Sequence, residues 1–350
     1  MRQLIKTQEE IGELDFSAMR EAACIQKNLT KPEGSLGVLE DLAIKVAGIT
    51  GNAKPTIGDK VIITMAADHG VAMRGVSAYP PEVTAQMVQN FIQGGAAINV
   101  LARHVGARIV VVDMGMSKPV NNEGVLKYRI REGTCDIACG PAMSRKEAIA
   151  CLEAGIEIAQ NEVNRGAKYI GTGDMGIGNT TAASAVLAAL SGLPAEKVVG
   201  RGTGINEATW RLKVETVASS LRINRPDSRD AVEVLAAVGG LEIGGLAGCI
   251  LGAASCRVPV IIDGFISGAA ALLAARLQPR ASNFMIASHL SKEPGHRFIL
   301  DLLGLEPMLY MNMRLGEGTG AVLAMGIIDS ALKIMHEMAT FESARVSRPD

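Results

Sequence analysis

The residues best suited to chemistry lie in one short segment, MRLGEGTG at residues 313–320, in which a single carboxylate, Glu317, stands between glycines. Glycine lets the backbone approach a ligand closely and take positive φ angles. A glutamate with no cation directly beside it can serve there as a general base. Taken alone, such a segment is more often a turn with a solvated glutamate, so the rest of the chain must decide between the two interpretations.

A second glycine-rich segment, GTGDMGIGNTT at residues 171–181, follows an apolar run and precedes an alanine-rich helical pattern. Backbone amides at such a helix start, together with the side chains of Asn179, Thr180 and Thr181, favour binding of a phosphate. The segment lacks the Gly-Lys-Ser/Thr of a Walker A loop and a clean G-x-G-x-x-G. A purely structural turn stays open as the alternative, but the run of hydroxyl and amide side chains favours an anion site.

Two further segments add candidates for a phosphate site. VVGRGTGI at residues 198–205 is followed by Lys213 in a helical pattern, and lysine supplies a compact positive charge. SHLS at residues 288–291 ends an apolar run with hydroxyl groups. The alternatives are a solvated surface lysine and, for His289, a structural histidine, which is the more common role of a single unpaired imidazole.

Two other patterns do not predict an active centre of their own. Asp68-His69-Gly70 invites a catalytic triad, but no G-x-S-x-G nucleophile elbow is present, so His69 is expected to order the loop that follows it. Cys135 and Cys139 are spaced C-x-x-x-C without a second Cys/His pair, so no metal site is predicted. The scattered cysteines are typical of small apolar residues in a reducing cytoplasm.

Composition favours small-molecule chemistry. The chain has 35 basic and 36 acidic residues, a formal net charge of −1, whereas nucleic-acid-binding proteins usually carry a basic stripe. Aromatic residues make up 3%, which leaves few platforms for stacking bases. Charged residues and a proline interrupt the apolar stretch 241–275, so no uncharged span reaches the roughly 18 residues that cross a membrane. We therefore expect a soluble cytoplasmic enzyme with neither nucleic acid nor membrane as partner.

Strands and helices alternate along the chain, which predicts an α/β fold with a Rossmann-like, mostly parallel sheet of about six strands covered by helices. Continuously apolar runs are typical of strands buried on both faces. The predicted strands are Lys60–Ala67, Arg108–Met114, Lys168–Gly173, Val258–Asp263 and Phe284–Ser288, with Met308–Met313 as a candidate sixth. The predicted helices include Pro81–His104, Ser144–Arg165, Thr180–Leu190, Asn206–Ile223 and Arg229–Ala254.

Several predicted strands run directly into loops that carry glycine, aspartate or histidine. Ligands of open parallel sheets bind outside the carboxyl ends of the strands, so these loops mark the expected active site. Both ends of the chain have helical patterns without strands. We therefore predict a small helical domain from residues 1–55 and 321–350 and a large α/β catalytic domain from residues 56–320.

Together these segments resemble the nicotinate-nucleotide–dimethylbenzimidazole phosphoribosyltransferases, the enzymes of the cobalamin lower ligand. The resemblance extends over nearly the whole chain, with eight segments in the family's order. The segments are KPEGSLGVLEDLA (31–43), ADHGV (67–71), GTGDMGIGNTT (171–181), VVGRGTGI (198–205), VGGLEIGGLAG (238–248), IDGFISGAAAL (262–272), SHLS (288–291) and MRLGEGTGA (313–321).

The resemblance implies transfer of the 5-phosphoribosyl group from nicotinate mononucleotide to 5,6-dimethylbenzimidazole, giving α-ribazole 5′-phosphate and nicotinate with inversion at the anomeric carbon. It implies Glu317 as general base, Asp174 and Lys213 as further catalytic residues, no metal or cofactor, and a homodimer. The substrate-binding residues that it implies are Tyr79, Met87, Gly176, Ile177, Gly178, Asn179, Thr180, Thr181, Gly202, Asp263, Gly264, Phe265, Ser291, Arg314 and Leu315.

The chemistry of this reaction fits the residue set. Nicotinate leaves a cationic pyridinium as a neutral ring, whereas the attacking benzimidazole gains positive charge and must lose a proton. A desolvated carboxylate accepts that proton at a raised pKa. Two departures from the family leave details open: Asp174 stands where members commonly carry glutamate, and the segment Tyr79–Met87 lacks some polar side chains that other members place near the base.

Three alternatives remain at this point. A base-exchange phosphoribosyltransferase acting on adenine or a phenol would share most of these features. A catalytically silent nucleotide-binding protein would not need a base beside the pocket, so Glu317 between its glycines argues against it. A dinucleotide-dependent dehydrogenase would require a G-x-G-x-x-G fingerprint with an acidic residue about 20 positions on, which the chain lacks.

Overall fold

The structure, a computed structural model, describes residues 1–347. This part of the chain forms six strands and fifteen α-helices, with short 3-10 helices at Gly70–Arg74 and Pro279–Phe284. The strands are β1 (Asp59–Ala67), β2 (Ala107–Gly115), β3 (Val125–Lys127), β4 (Ala167–Met175), β5 (Val260–Ile262) and β6 (Met285–Ala287). The helices are α1 (Arg2–Glu10), α2 (Phe16–Asn28), α3 (Val38–Thr50), α4 (Val83–Gln93), α5 (Ala97–Val105), α6 (Arg145–Asn164), α7 (Asn179–Ser191), α8 (Ala195–Val198), α9 (Glu207–Asn224), α10 (Ala231–Val238), α11 (Leu241–Ser255), α12 (Phe265–Leu277), α13 (Gly295–Leu303), α14 (Thr319–Glu337) and α15 (Phe341–Ala344).

The six strands form one sheet in the order β3-β2-β1-β4-β5-β6, and every neighbouring pair is parallel. This confirms the predicted α/β fold with a Rossmann-like parallel sheet of six strands. The strand order reverses between β1 and β4, where helices leave in opposite directions and a crevice forms at the carboxyl ends. The register sets Thr64 beside Gly173 and Met65 beside Asp174 across this point.

The prediction of Met308–Met313 as the sixth strand is wrong. That segment makes one isolated parallel bridge, between His289 and Leu309, and no longer ladder. The sixth strand is β3, which pairs with residues 111–113 of β2 at the edge of the sheet. With three residues, β3 is too short to give a hydrophobic run that a sequence pattern can detect.

Two predicted helices are each divided in two by a pair of glycines. The predicted helix Pro81–His104 is α4 and α5, because α4 ends at Gly94, whose φ of 77° is left-handed. The predicted helix Arg229–Ala254 is α10 and α11, which meet at Gly239-Gly240. Each break creates an additional helix N-terminus near the carboxyl ends of the strands, with backbone amides that have no partner in the helix itself.

Helices cover both faces of the sheet. Alternate residues of β1 face opposite layers: Val61, Ile63 and Met65 pack in a core with α6, α7, α10, α11 and α12, and Ile62 and Ala66 pack in a second core with α3, α4, α5 and α14. This two-faced burial explains why the strands are continuously apolar. Helix α14 is long and apolar enough to cross a membrane, but 56% of its apolar window is buried inside the fold.

Helices from both ends of the chain meet beside the sheet. Helix α2 packs on α3, α3 packs on α14, and Leu29 forms an antiparallel bridge with Thr340. Helix α14 also packs directly on β4 and β5. The division into a small domain (1–55 and 321–350) and a large domain (56–320) stays a prediction, and its residues 348–350 lie outside the described part of the chain.

The start of α14 is held to the sheet by Asp263, the residue after β5. Its Oδ1 accepts hydrogen bonds from the backbone nitrogens of Gly320 (2.6 Å) and Ala321 (3.1 Å), and its Oδ2 accepts one from Gly318 (3.2 Å). These amides belong to the first turn of α14, which lacks intrahelical acceptors. One side chain therefore fixes the backbone directly after Glu317.

The close packing of α6 on α11 gives a stability prediction. A methyl group on Gly155 would overlap the carbonyl oxygen of Gly245 and lie 2.7 Å from the backbone nitrogen of Cys249. Gly155→Ala should therefore lower the free energy of unfolding by about 3 kcal/mol, since two backbones must move apart. Urea unfolding measures this, with Gly12→Ala as the control because no atom lies within 4 Å of the added methyl. Equal stability of the two variants would contradict the packing.

The Asp263 contacts give a second prediction. Asp263→Asn keeps the shape but turns one acceptor oxygen into a donor that faces a backbone amide. We expect a loss of about 2 kcal/mol in unfolding free energy and faster hydrogen exchange at residues 318, 320 and 321. Asp301→Asn is the matched control, because Asp301 is exposed and makes only a 3.8 Å contact with Arg297. Unchanged exchange at the start of α14 would show that Asp263 does not hold it.

Candidate active site

Glu317 lies in the loop that leads into α14, at the carboxyl end of β4. Gly316, Glu317 and Gly318 all have positive φ angles, at 84°, 64° and 96°, which is uncommon for a non-glycine residue. A side chain at Gly173 would overlap the carbonyl oxygen of Glu317, so the loop lies directly on the strand. Thr64 on β1 donates a hydrogen bond to the same oxygen (3.1 Å). The loop is thus held at the point where the strand order reverses.

The carboxylate of Glu317 is buried, since the residue is 4% exposed. Its Oε2 accepts a hydrogen bond from the backbone nitrogen of Ile98 (3.3 Å), in the first turn of α5. Burial raises the pKa of Glu317 above its ordinary value, and the Ile98 amide offsets part of that rise. Glu317 is therefore a carboxylate with increased proton affinity, as a general base for neutral pH requires.

Asp174 is a second buried carboxylate next to the same loop. Its Oδ2 accepts a hydrogen bond from Asn179 Nδ2 (2.9 Å), and its backbone oxygen accepts one from the Glu317 nitrogen (3.3 Å). Within residues 1–347 its Oδ1 has no hydrogen-bond partner. Burial raises the pKa of Asp174 well above its ordinary value; the charges of Asp263 and Glu242 add to the rise, and Asn179 opposes it. This environment favours the protonated acid.

Lys213 forms a buried cation site with the start of α7. The residue is 1% exposed, and its Nζ donates a hydrogen bond to Thr180 Oγ1 (2.7 Å). A methyl group on Gly202 would lie 3.2 Å from that nitrogen, so the glycine loop lies against the ammonium group. Burial lowers the pKa of Lys213 to about 8, although the charge of Glu293 opposes the shift. Within residues 1–347 the Lys213 ammonium group donates one hydrogen bond, to Thr180, so this buried cation is suited to bind an anion.

A cavity of about 560 Å³ adjoins the loop that carries Gly202. Arg314 lines it and donates a hydrogen bond to the Gly202 oxygen (2.8 Å), which links the Lys213 site to the segment of Glu317. Glu317 itself is not in the cavity lining. The residues that line the cavity are Glu196, Val199, Gly200, Arg201, Gly204, Glu207, Trp210, Lys292, Glu293, Pro294 and Arg314.

The pair of His69 and Glu242 was not predicted from the sequence. His69 Nε2 lies 2.6 Å from Glu242 Oε1, and both side chains are buried. Burial lowers the pKa of His69, but the charge and hydrogen bond of Glu242 outweigh it, so the pKa is raised overall. A methyl group added to Gly176 would lie 3.4 Å from the His69 ring, and one added to Gly178 would lie 3.4 Å from the His69 Cβ. His69 therefore also packs under the glycine loop before α7, beyond its expected role in the loop that follows it.

The predicted site residues fall into three groups and a rim. The first group lies beside Asp174 and contains Gly176, Ile177, Gly178 and Asn179. The second lies around Lys213 and contains Thr180, Gly202 and Arg314. The third lies near His289, beside the Asp263 cap, and contains Gly264 and Ser291. Thr181 and Phe265 are buried, Met87 is half-buried, and Tyr79 and Leu315 are 55% and 57% exposed. Their roles in substrate binding stay predictions.

The loop of Tyr79 contacts the glycine loop of residues 198–205 at Thr203. Thr203 Oγ1 lies 3.3 Å from Ser77 Oγ and accepts a hydrogen bond from the backbone nitrogen of Ala78 (3.0 Å). Thr84, at the start of α4, accepts a hydrogen bond from the Ile177 nitrogen (3.1 Å). Residues 77–84 therefore connect the glycine loop of residues 198–205 with the loop before α7.

The residues of the site are suited to anion binding and proton transfer. Among residues 1–347, no group of three or more His, Cys, Asp or Glu side chains is arranged to hold a metal ion. Cys135 and Cys139 accept hydrogen bonds from Arg131 (3.2 Å) and Arg74 (3.0 Å). Candidate donors for a ligand include backbone amides, hydroxyl groups, the Lys213 ammonium group and the cations Arg201, Lys292 and Arg314 of the adjoining cavity.

Comparison with known proteins identifies the family. A family model described as phosphoribosyltransferase matches residues 11–346. The nicotinate-nucleotide–dimethylbenzimidazole phosphoribosyltransferases of Desulforudis audaxviator and Chloroflexus aggregans are each 54% identical, with 99% of this chain and 98% and 99% of those proteins covered. The crystal structure of CobT from Thermus thermophilus superimposes with a TM-score of 0.91 at 46% identity, with 95% of this chain and 100% of that chain covered. The chain belongs to the nicotinate-nucleotide–dimethylbenzimidazole phosphoribosyltransferase family, which confirms the resemblance seen in its sequence.

Proposed function

We propose that this enzyme transfers the 5-phosphoribosyl group of nicotinate mononucleotide to 5,6-dimethylbenzimidazole, which releases nicotinate and forms α-ribazole 5′-phosphate for the cobalamin nucleotide loop. The observation that carries the proposal is a buried base, Glu317, in the loop before α14, together with a buried cation, Lys213 on α9. Arg314 links the two through its hydrogen bond to Gly202. Relatives whose names state this activity match the chain over nearly its full length.

The phosphate of the nucleotide binds at Lys213 and the start of α7. The ammonium group supplies the counter-charge, and the Thr180 hydroxyl beside it supplies a further donor. Phosphate at a helix N-terminus also meets the positive end of the helix dipole. The negative charge of a bound phosphate offsets the desolvation that lowers the pKa of Lys213, so the ligand and the protonated lysine stabilise each other.

Glu317 removes the proton that the benzimidazole must lose. The attack of one ring nitrogen on the anomeric carbon places positive charge on the ring, and the other nitrogen then releases its proton. A carboxylate within hydrogen-bond reach accepts this proton and stabilises the cationic ring before the transfer. The departing nicotinate takes the electron pair of the glycosidic bond into its ring nitrogen and needs no acid.

The larger rise in the pKa of Asp174 favours a protonated Asp174 beside an ionised Glu317. Its Oδ1, without a partner in the described part of the chain, can then donate a hydrogen bond to a substrate atom. The carboxyl group is one methylene shorter than the glutamate that is common in the family, and Asn179 fixes its other oxygen. We infer a positioning role for Asp174 at the ribose or the base.

We further propose a cytoplasmic homodimer in which a second copy covers the rim of the site. Four large side chains beside the site are exposed, namely Tyr79 (55%), Tyr310 (64%), Met311 (53%) and Leu315 (57%). Exposed apolar and aromatic side chains in one region are typical of an interface. Light scattering of the purified protein tests this, and a monomer that turns over at full rate would contradict it.

Product analysis tests the reaction. Mass spectrometry of mixtures of nicotinate mononucleotide with dimethylbenzimidazole should detect α-ribazole 5′-phosphate and an equal amount of nicotinate. Parallel reactions with adenine and a phenol measure the base preference. Nucleotide that binds without release of nicotinate in any of these mixtures would contradict the proposed function.

The role of Glu317 as base predicts the effect of removing it. Glu317→Ala should lower kcat by about 10²- to 10⁴-fold, the usual contribution of a general base. The Kd for nicotinate mononucleotide should change little, because the phosphate site is built from other residues. Glu306→Ala, at an exposed carboxylate on the surface, is the matched control. Near-normal turnover of Glu317→Ala would remove this residue from the catalytic role.

The raised pKa of Glu317 predicts the pH dependence. The base acts only when ionised, so kcat/KM should fall as pH drops through its pKa. Because burial raises this pKa, the midpoint of the acid limb should lie above the 4.5 of an ordinary glutamic acid. Carbon-13 NMR of labelled glutamate, with Glu317→Gln to assign the signal, measures the same pKa directly. A midpoint at or below 4.5 by both methods would contradict the assignment.

A further inference from the structure

A donor beside the proposed phosphate site, the backbone amide of Gly202, already binds a carboxylate in this structure. Glu293 lies in the loop between β6 and α13, is 5% exposed, and its Oε1 accepts a hydrogen bond from the backbone nitrogen of Gly202 (2.8 Å). Its own backbone nitrogen donates to Ser291 Oγ (3.3 Å). Gly202 and Ser291 are both residues that the family resemblance implies for substrate binding. Glu293 therefore sits among the groups that should receive the ligand.

The second oxygen of Glu293 is poorly satisfied. Among residues 1–347, Oε2 has no hydrogen-bond partner, and any side chain at Gly200 would overlap it. A buried acceptor without a donor costs free energy, so this placement is not explained by stability alone. The glycine at position 200 provides the space that the carboxylate occupies.

Charge connects Glu293 to the cation of the site. The Lys213 ammonium group hydrogen-bonds only Thr180 in the described part of the chain, and the negative charge of Glu293 partly counters its desolvation. A phosphate monoester carries about −1.5 to −2 charges at neutral pH. A bound phosphate would have to share the Gly202 amide and the Lys213 charge with the Glu293 carboxylate, and like charges placed side by side repel each other.

The adjoining cavity offers a place for the carboxylate to move. Glu293 lines this space of about 560 Å³ together with three cations, Arg201, Lys292 and Arg314. Glu196 and Glu207 line the same cavity, and Glu207 already forms ion pairs with Arg201 and Arg211. A change of side-chain rotamer would carry the Glu293 carboxylate from the Gly202 amide toward Lys292 and Arg314.

We propose that Glu293 is a built-in competitor for the phosphate position: its carboxylate accepts a hydrogen bond from the Gly202 amide and moves into the adjoining cavity when a phosphate group binds. This inference rests on the proposed function, since it needs the phosphate at Lys213. It makes Glu293 a positioning residue that keeps the loop of residues 200–204 in its binding conformation without ligand. The same contact lowers the affinity for phosphate itself.

The test is removal of the charge with the hydrogen bond retained. Glu293→Gln keeps an oxygen that can accept from the Gly202 amide, so a purely structural role would leave ligand affinity unchanged. If the carboxylate competes, the variant should bind inorganic phosphate and nicotinate mononucleotide about tenfold more tightly in calorimetric titrations. Glu207→Gln is the matched control, because Glu207 lines the same cavity but is exposed and ion-paired, and its affinities should stay within about twofold of the parent.

Two further variants separate the inference from the proposed function. Glu293→Ala, which removes the acceptor as well as the charge, should also gain phosphate affinity if its melting temperature shows a folded protein. Lys213→Met should weaken phosphate binding about thirtyfold or more. If both Glu293 variants bind phosphate no more tightly than the parent while Lys213→Met binds it more weakly, the proposed competition by Glu293 is wrong but the phosphate site stands. Normal binding by Lys213→Met overturns the phosphate site, and the competitor with it.

Discussion

The hydrogen bonds of Asp263 are the contacts on which the geometry of the site depends. This carboxylate stands at the end of β5 and binds three amides at the start of α14, so the sheet and the helix are joined one residue after Glu317. Glu317 itself has a φ of 64°, a conformation that persists only where the surroundings fix it. The cap on one side and the contact with Gly173 on the other supply that constraint. A loop without them would relax and withdraw the base.

Burial shifts the pKa values of four ionisable groups of the site in the direction that favours their neutral forms. It raises the pKa values of Glu317 and Asp174, and that of Asp263 to about 7, while it lowers that of Lys213 to about 8. The proposed substrate carries the complementary charges, a phosphate anion and a pyridinium cation. In the proposed complex, the phosphate favours the charged form of Lys213, and the cationic ring favours the ionised form of Glu317. Substrate binding and the ionisation that catalysis needs are therefore coupled.

The sequence predicted the parts of the site that local patterns encode. The apolar runs located five strands, and the polar residues after them meet at the carboxyl ends as expected, because parallel strands bring those ends together. The sequence did not predict contacts between distant segments. His69 and Glu242 are 173 positions apart, and Glu293 reaches Gly202 across 91, so neither pair has a local signal. The Ile98 amide at Glu317 depends on a helix break at Gly94-Gly95 that periodicity alone concealed.

The different surroundings of the two carboxylates support Glu317, rather than Asp174, as the proposed base. Both are buried beside the same loop, so close acids compete for ionisation and the one in the less unfavourable environment loses its proton first. More interactions raise the pKa of Asp174. Desolvation and the charges of Asp263, Glu242 and Glu317 all raise it, and one hydrogen bond from Asn179 lowers it. For Glu317, burial raises the pKa, and the hydrogen bond from the Ile98 amide of α5 lowers it. The larger rise in the pKa of Asp174 therefore favours ionisation of Glu317 first, which would leave one acceptor and one donor for the proposed substrate.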